Sequence, residues 1–241
     1  MAVTVKMNSR AGRVLPDVDA YHGPLARESL RLIDELRARR LTPDSFQDRI
    51  RALHTRLDLR GELAEWIARA LAEQKDQVLQ QKTVPELAHT LQLLYLEPRE
   101  VHPPHCHHNL ISTQVVLNGR VYVREYDRVA RLDEDTILLR LRTDRWFGIG
   151  DTMQTTEVER NAHWFAADDR PAVMLNFYIL GYQDWTFDPK GSRNKGRRML
   201  DPTLSAQGDG LIVGKEIPLE EGYVRFGNKP IESFPIPSPA A

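Results

Sequence analysis

The sequence predicts an α+β protein, with an antiparallel β-barrel or sandwich preceded by a helical segment. Two patterns carry this expectation. Between Pro24 and about Gln80 the apolar residues recur at helical spacing. After Val84-Pro85 they fall into short runs separated by turn signals, the signature of many short strands.

Residues 1–23 are polar and mixed, and are expected to form a flexible arm. The helical extension takes 24–83. Its first helix, LARESLRLIDELRARR, places Leu25, Leu32 and Leu36 on one face with Ser29 and Ile33 at the edges. Thr42-Pro43 starts a second helix: the threonine can cap free backbone N–H groups, and proline has none to lose at the first helical position. Phe46, Ile50, Leu53 and Leu57 form its stripe. A third helix is read from about Gly61, with Leu63, Trp66, Ile67, Ala70 and Leu71 on its buried side. These stripes are read as core packing; a partner-binding helical module is the alternative. No heptad persists long enough for a coiled coil.

The barrel is expected over 84–187, built from runs such as STQVVLNG, RVYVREYDRVA, TILLRL and AVMLNFYIL. Asn118-Gly119 between two runs reads as a hairpin turn, because both residues tolerate positive φ. Gly148, Gly150 and Asp151 read as another turn, without the strand–Gly-rich turn–helix context of a nucleotide loop. Residues 188–241 are read as a C-terminal edge strand (LIVGKEIPL) with a wrapping tail.

Composition narrows the function. A formal net charge of -1 gives no global basic field, so nucleic acid and anionic lipid are not expected partners. One cysteine, Cys106, excludes an internal disulfide and favours a reducing, cytoplasmic setting. No apolar run approaches the roughly 20 residues that span a bilayer, and the N-terminus has no apolar signal core. The basic run at 191–198, GSRNKGRR, is read as a solvated loop.

The chemistry concentrates in one place. Of eight histidines, four lie within the seven residues His102 to His108. On a strand, His105 and His107 share a face and Cys106 takes the other, as a small buried hydrophobe. His163 in RNAHWF supplies a third imidazole, and Asn161 two residues earlier can hydrogen-bond behind the site. Three imidazoles suit iron, nickel, copper or zinc. With three neutral ligands a ferrous ion keeps its charge and three open positions, so O₂ and an anionic, bidentate substrate can bind side by side. Zinc, nickel or manganese can use the same three ligands.

Around the metal, Arg124, Tyr126 and Arg128 share one strand face by parity. If that face looks inward, the arginines can clamp a substrate carboxylate and Tyr126 can donate to bound O₂ or substrate. If it looks outward, they pair with neighbours such as Glu125 or Asp127. Gln114 can orient a ligand from the next run, and His102 and His108 are candidates for proton transfer.

The stretch PPHCHHNLISTQVVLNGRVYVREYDRV, residues 103–129, resembles the cupin superfamily, and within it the thiol dioxygenases acting on cysteamine or N-terminal cysteine. The matching features are His105 and His107, then Leu117 and Gly119, then Tyr126 and Asp127, and the later Asn161-x-His163. The resemblance implies a cupin (jelly-roll) barrel and a three-histidine Fe(II) site. Where many cupins carry a Glu five residues after the second histidine, this chain has Ser112. It departs from the thiol dioxygenases at His108-Asn109, where they have Pro-Gly, and at Tyr182, which lacks the prolines before it. The implied activity is a non-haem iron dioxygenase or oxygenase acting on a small thiol, amine or carboxylate. A metal-dependent isomerase or lyase and a small-molecule sensor are the alternatives. Cupins often pair through their sheets, so a homodimer is also implied.

Overall fold

The computed structural model describes residues 17–82, 88–181, 197–207 and 209–237. After a two-residue strand come four helices: α1 (Pro24–Arg37), α2 (Pro43–Arg56), the single turn α3 (Leu59–Glu62) and α4 (Ala64–Glu73). Thr42 caps α2 as expected, its Oγ1 accepting from the Ser45 N–H at 3.2 Å. The third helix divides at Leu63, because the Asp58 side chain caps a separate turn by accepting from the Gly61 N–H. Gln74 adopts a left-handed conformation and ends α4.

The strands are β1 (Val18–Asp19), β2 (Gln77–Lys82), β3 (Ala88–Leu96), β4 (Val101–His107), β5 (Leu110–Asn118) and β6 (Val121–Arg131). They continue with β7 (Thr136–Phe147), β8 (Thr152–Thr155), β9 (Ala162–Ala167), β10 (Ala172–Leu180), β11 (Arg197–Gln207) and β12 (Leu211–Ile217). A final helix α5 (Leu219–Phe226) and a 3₁₀ turn (Ile231–Ser233) follow. One sheet runs β1-β2-β3-β10-β5-β8; the other closes on itself in the order β11-β12-β7-β6-β9-β4. From β3 to β10 the chain alternates between these sheets at nearly every loop, which makes the core a jelly roll. The fold is thus α+β: an antiparallel barrel preceded by a helical segment.

Three apolar clusters hold the layers together. Leu25, Ile33, Phe46 and Ile50 of the helices pack on Leu91, Leu175 and Phe177 of the first sheet. Leu94, Val116 and Met174 of that sheet meet Val123, Phe147 and Phe165 of the second. Inside the closed ring, Cys106, Tyr126, Leu139, Trp164 and Leu200 pack with Phe226. Strands β5 and β10 are therefore covered on both faces, which is why they read as nearly continuous apolar runs.

Several expectations are corrected. Residues 77–82 form a strand rather than the end of the helical extension, because Gln77 to Lys82 pair with Leu93 to His89. The presumed arm is placed from residue 17 on: Val18 and Asp19 pair with β2, and Tyr21 is buried with its phenol on Glu62. Asn118-Gly119 makes no hairpin; β5 and β6 belong to different sheets, and Gly119, at φ 75°, hands the chain from one to the other. The LIVGKEIPL strand is not an edge, since β12 pairs with both β7 and β11. The arm at 1–16, most of the basic run (191–196) and Tyr182 lie outside the described residues.

Candidate metal centre

The pairing register sets the site. Across β4, β9, β6 and β7 one row runs His105–His163–Glu125–Thr143. Paired residues in antiparallel sheets point to the same face, so these four side chains look between the two sheets. His107 follows on the same face of β4. Proline cannot donate to the ladder, and the β4–β9 register slips by one residue at Pro103-Pro104. That slip brings His102 to the same interior, where it stacks on Phe165 with centroids 4.6 Å apart. Cys106 points into the closed ring.

His105, His107 and His163 are all buried, and each offers a ring nitrogen within 4.8 Å of the others. His105 Nδ1–H donates to the Pro103 carbonyl at 2.8 Å, and His163 Nδ1–H to Thr155 Oγ1 at 3.2 Å. These bonds leave both Nε2 lone pairs free to face inward. His107 Nε2 and His163 Nε2 stand 3.5 Å apart. Two imidazoles on one ion, with metal–nitrogen bonds of about 2.0–2.1 Å, would place those atoms roughly 3.0–3.4 Å apart. The donor set therefore fits a transition metal. Burial, reinforced by Arg197, holds His105 well below the ordinary imidazole range; burial takes His163 down to about 4. Both present neutral imidazole at neutral pH, the form a metal requires.

The facing wall belongs to the first sheet. Gln92, Asn176 and Gln114 form a register row across β3, β10 and β5, with Gln114 Nε2 donating to Asn176 Oδ1 at 3.2 Å. Gln114 Oε1 is buried without a partner. Glu125 Oε1 is likewise unpartnered, and burial raises its carboxyl above the usual range. On the third side, Arg197 is the register partner of His107, and its Nη2 lies 3.5 Å from His105 Nδ1. Its Nε has no partner, its guanidinium bonds the Tyr223 side chain, and no carboxylate pairs with it among the described residues.

The sequence-derived candidates divide. Gln114 lies on the interior wall. Asn161 supports the site from behind, its Nδ2 donating to the carbonyls of His107 (2.8 Å) and Thr156 (2.7 Å). Arg124 and Tyr126 do not reach the histidines: they pair with Trp164 and Ala162, neighbours of His163 that face the ring. Arg124 binds Asp144 and the Phe234 carbonyl, and Tyr126 is buried in the ring cluster. Arg128 faces the same way and pairs with Glu157. A carboxylate clamp from these arginines is excluded by that direction. His108 also turns away, bonding Glu216 at 3.1 Å.

Cys106, His108 and Glu216 make a second close group. Glu216 already holds Arg131 and Arg198, and burial pushes the Cys106 thiol up to about 12. Two guanidiniums and a protonated thiol disfavour a cation there. A cavity of about 310 Å³ lies between α2–α3 and β5, and none of the three histidines lines it.

The reading of the sequence missed Glu125, Thr155, Gln92, Asn176 and Arg197. Asn176 and Gln92 had a signal, as lone amides inside AVMLNFYIL and LQLLYL. Thr155, Glu125 and Arg197 had none without the register.

No family profile matches the chain, and no curated protein does. Solved structures do. KdgF from Halomonas sp. is 16% identical over 45% of this chain and 79% of its own, with a TM-score of 0.30. A cupin superfamily protein from Desulfitobacterium hafniense DCB-2 is 10% identical over 44% and 75%, TM-score 0.30. The 11S globulin of Wrightia tinctoria, described with an auxin binding site, is 12% identical over 39% of this chain, TM-score 0.30; the match spans only 20% of the globulin.

Proposed function

We propose that this protein is a mononuclear non-haem Fe(II) dioxygenase or oxygenase of the cupin type, acting on a small thiol, amine or carboxylate. The observation that carries the reading is the ligand group itself: three buried imidazoles whose ring nitrogens converge, and no carboxylate among them. When bound, ferrous iron would supply one-electron chemistry and adjacent open positions for O₂ and substrate.

The chain's own groups then have definite tasks. Pro103 and Thr155 fix the ring orientations of His105 and His163. Arg197 places a positive charge beside the histidines, and no carboxylate pairs with it among the described residues. A desolvated guanidinium held by the Tyr223 side chain and by no carboxylate among the described residues is costly, so an anionic group on the substrate is the partner it favours. Gln114 Oε1 offers a free acceptor, which suits a substrate hydroxyl, amine or thiol. Leu94, Val123 and Phe165 exclude water from one end of the space.

A second reading, an O₂-independent isomerase or lyase with zinc, nickel or manganese, is favoured by Glu125. A buried carboxyl with a raised pKa next to a metal ligand can hold and return a proton.

The test is metal content after purification without added metal, then anaerobic Fe(II) loading and O₂ uptake with panels of small thiols, amines and carboxylates. About one iron per chain, lost in His163→Ala, with substrate-dependent O₂ uptake, supports the oxygenase. Unit zinc or nickel, with no O₂ uptake after iron loading, moves the assignment to the second reading. No metal in either protein overturns the site.

A further inference from the structure

We infer that the helical segment is a working part of the metal centre: Gln47 of α2 fixes Thr155, and Thr155 fixes the ring of His163. The inference rests on the three-histidine metal reading above.

Gln47 is out of place on its helix. It lies on the buried side of α2 with Phe46, Ile50 and Leu53, where an apolar residue would pack at no polar cost. Its amide instead reaches the barrel. Nε2 donates to the Thr155 carbonyl at 2.9 Å and to the Ser112 carbonyl at 3.3 Å. Gln154 Nε2 answers by donating to the Gln47 carbonyl at 3.4 Å. Ser112 and Thr155 are register partners on β5 and β8, so one amide clamps two neighbouring strands.

The clamp matters because of where it falls. β8 is four residues long and ends its sheet, paired among the described residues with β5 alone. Edge strands this short are weakly held. Thr155 is the last residue of β8, and its hydroxyl oxygen accepts from His163 Nδ1–H. The Arg160 carbonyl stands farther off at 3.4 Å, at the end of the connecting loop. The Arg160 carbonyl, which can only accept, keeps the proton on Nδ1, and the nearer hydroxyl sets the tilt of the His163 ring and so the direction of its Nε2 lone pair. Without Gln47, β8 and that hydroxyl lose their outer anchor.

The experiment uses full-length chains: wild type, Thr155→Val, Thr155→Ser, Gln47→Leu and the near-isosteric Gln47→Met. Co(II) is titrated against a competing chelator, and the visible spectrum of bound Co(II) is recorded. Thr155→Val should bind Co(II) about tenfold more weakly with a shifted spectrum. Thr155→Ser, which keeps the hydroxyl, should restore both. The two Gln47 variants should weaken binding severalfold and shift the spectrum in the same direction. Thr155→Val matching wild type, or Thr155→Ser failing as badly as Thr155→Val, overturns the role of the hydroxyl. Gln47 variants that fold and keep the wild-type spectrum overturn the link to the helices. If wild type itself binds no Co(II), the metal reading falls first and takes this inference with it.

Discussion

Glu125 on β6 lies directly across from His163 on β9, so the two side chains enter the same interior while Arg124 and Tyr126, one residue to either side, turn away from it. Arg124 is consequently a structural residue. It binds Asp144 at 2.7 Å and the Phe234 carbonyl at 2.7 Å, and lies over the Trp164 ring. Arg124→Met should cost about 2 kcal/mol of stability, since it leaves a partly buried carboxylate and a carbonyl without their donor. Metal affinity should stay within about twofold. Urea unfolding alongside a metal titration checks this, and a large affinity loss at unchanged stability would count against it.

Glu125 separates the two chemical readings. Glu125→Gln keeps the shape and removes the proton that a buried carboxyl holds. An isomerase or lyase should lose roughly 100-fold or more in kcat, within the span general acid–base catalysis supplies. An oxygenase should keep substrate-dependent O₂ uptake within about tenfold. In both cases metal stoichiometry should be unchanged.

Asn161 is fully buried and donates to two carbonyls, one of them that of His107. Asn161→Ala strands both acceptors and should cost about 2 kcal/mol. Asn161→Asp should be worse than alanine, because it aims a carboxylate oxygen at two carbonyl oxygens. The order of urea midpoints, wild type above alanine above aspartate, is the check. Metal affinity should fall in the same order, since the His107 backbone loosens.

The histidines were legible because parity within one strand needs no knowledge of the partner strand: His105 and His107 share a face wherever β4 lies. On the substrate side only Gln114 was legible. Whether Arg124 or Glu125 looks inward depends on its pairing with β9, which is non-local. Arg197 enters the site only because β11 joins β4, with the chain separated by some ninety residues. Asn118-Gly119 shows the same limit at the backbone. Local propensity correctly asks for positive φ at Gly119, but it cannot say whether the next strand returns beside the first or crosses to the other sheet.

That crossing makes Gly119 sensitive. At φ 75° an added Cβ would stand 2.5 Å from the Pro171 carbonyl oxygen and 3.0 Å from Ala172 Cα. Both are backbone, in the turn leading into β10, and neither can move freely. Gly119→Ala should destabilise by about 2 kcal/mol or more, combining left-handed strain with overlap. Gly150, also at positive φ but with nothing within 4 Å, should cost about 1 kcal/mol. Comparing the two thermal midpoints isolates the contribution of the crowding.

One part of the acid response of the fold can be assigned to a single side chain. His54 on α2 is buried at 6% exposure, and neither ring nitrogen has a partner. Burial lowers its pKa to about 4, whereas the unfolded chain titrates near the ordinary value of 6.5. The unfolded state therefore takes up a proton before the folded state does. Stability from the neutral ring is complete above about pH 6.5 and declines as pH falls toward 4, by up to roughly 3 kcal/mol at the lower end. Buried His102, His105 and His163, whose pKa values are also lowered, pull the same way. His54→Leu removes one of these four while filling the same apolar contact. The variant should match or exceed wild type at pH 7 and lose markedly less between pH 7 and pH 4.5. Urea unfolding of the metal-free proteins at both values is the measurement, and parallel losses in the two would show that His54 is not protonation-limited.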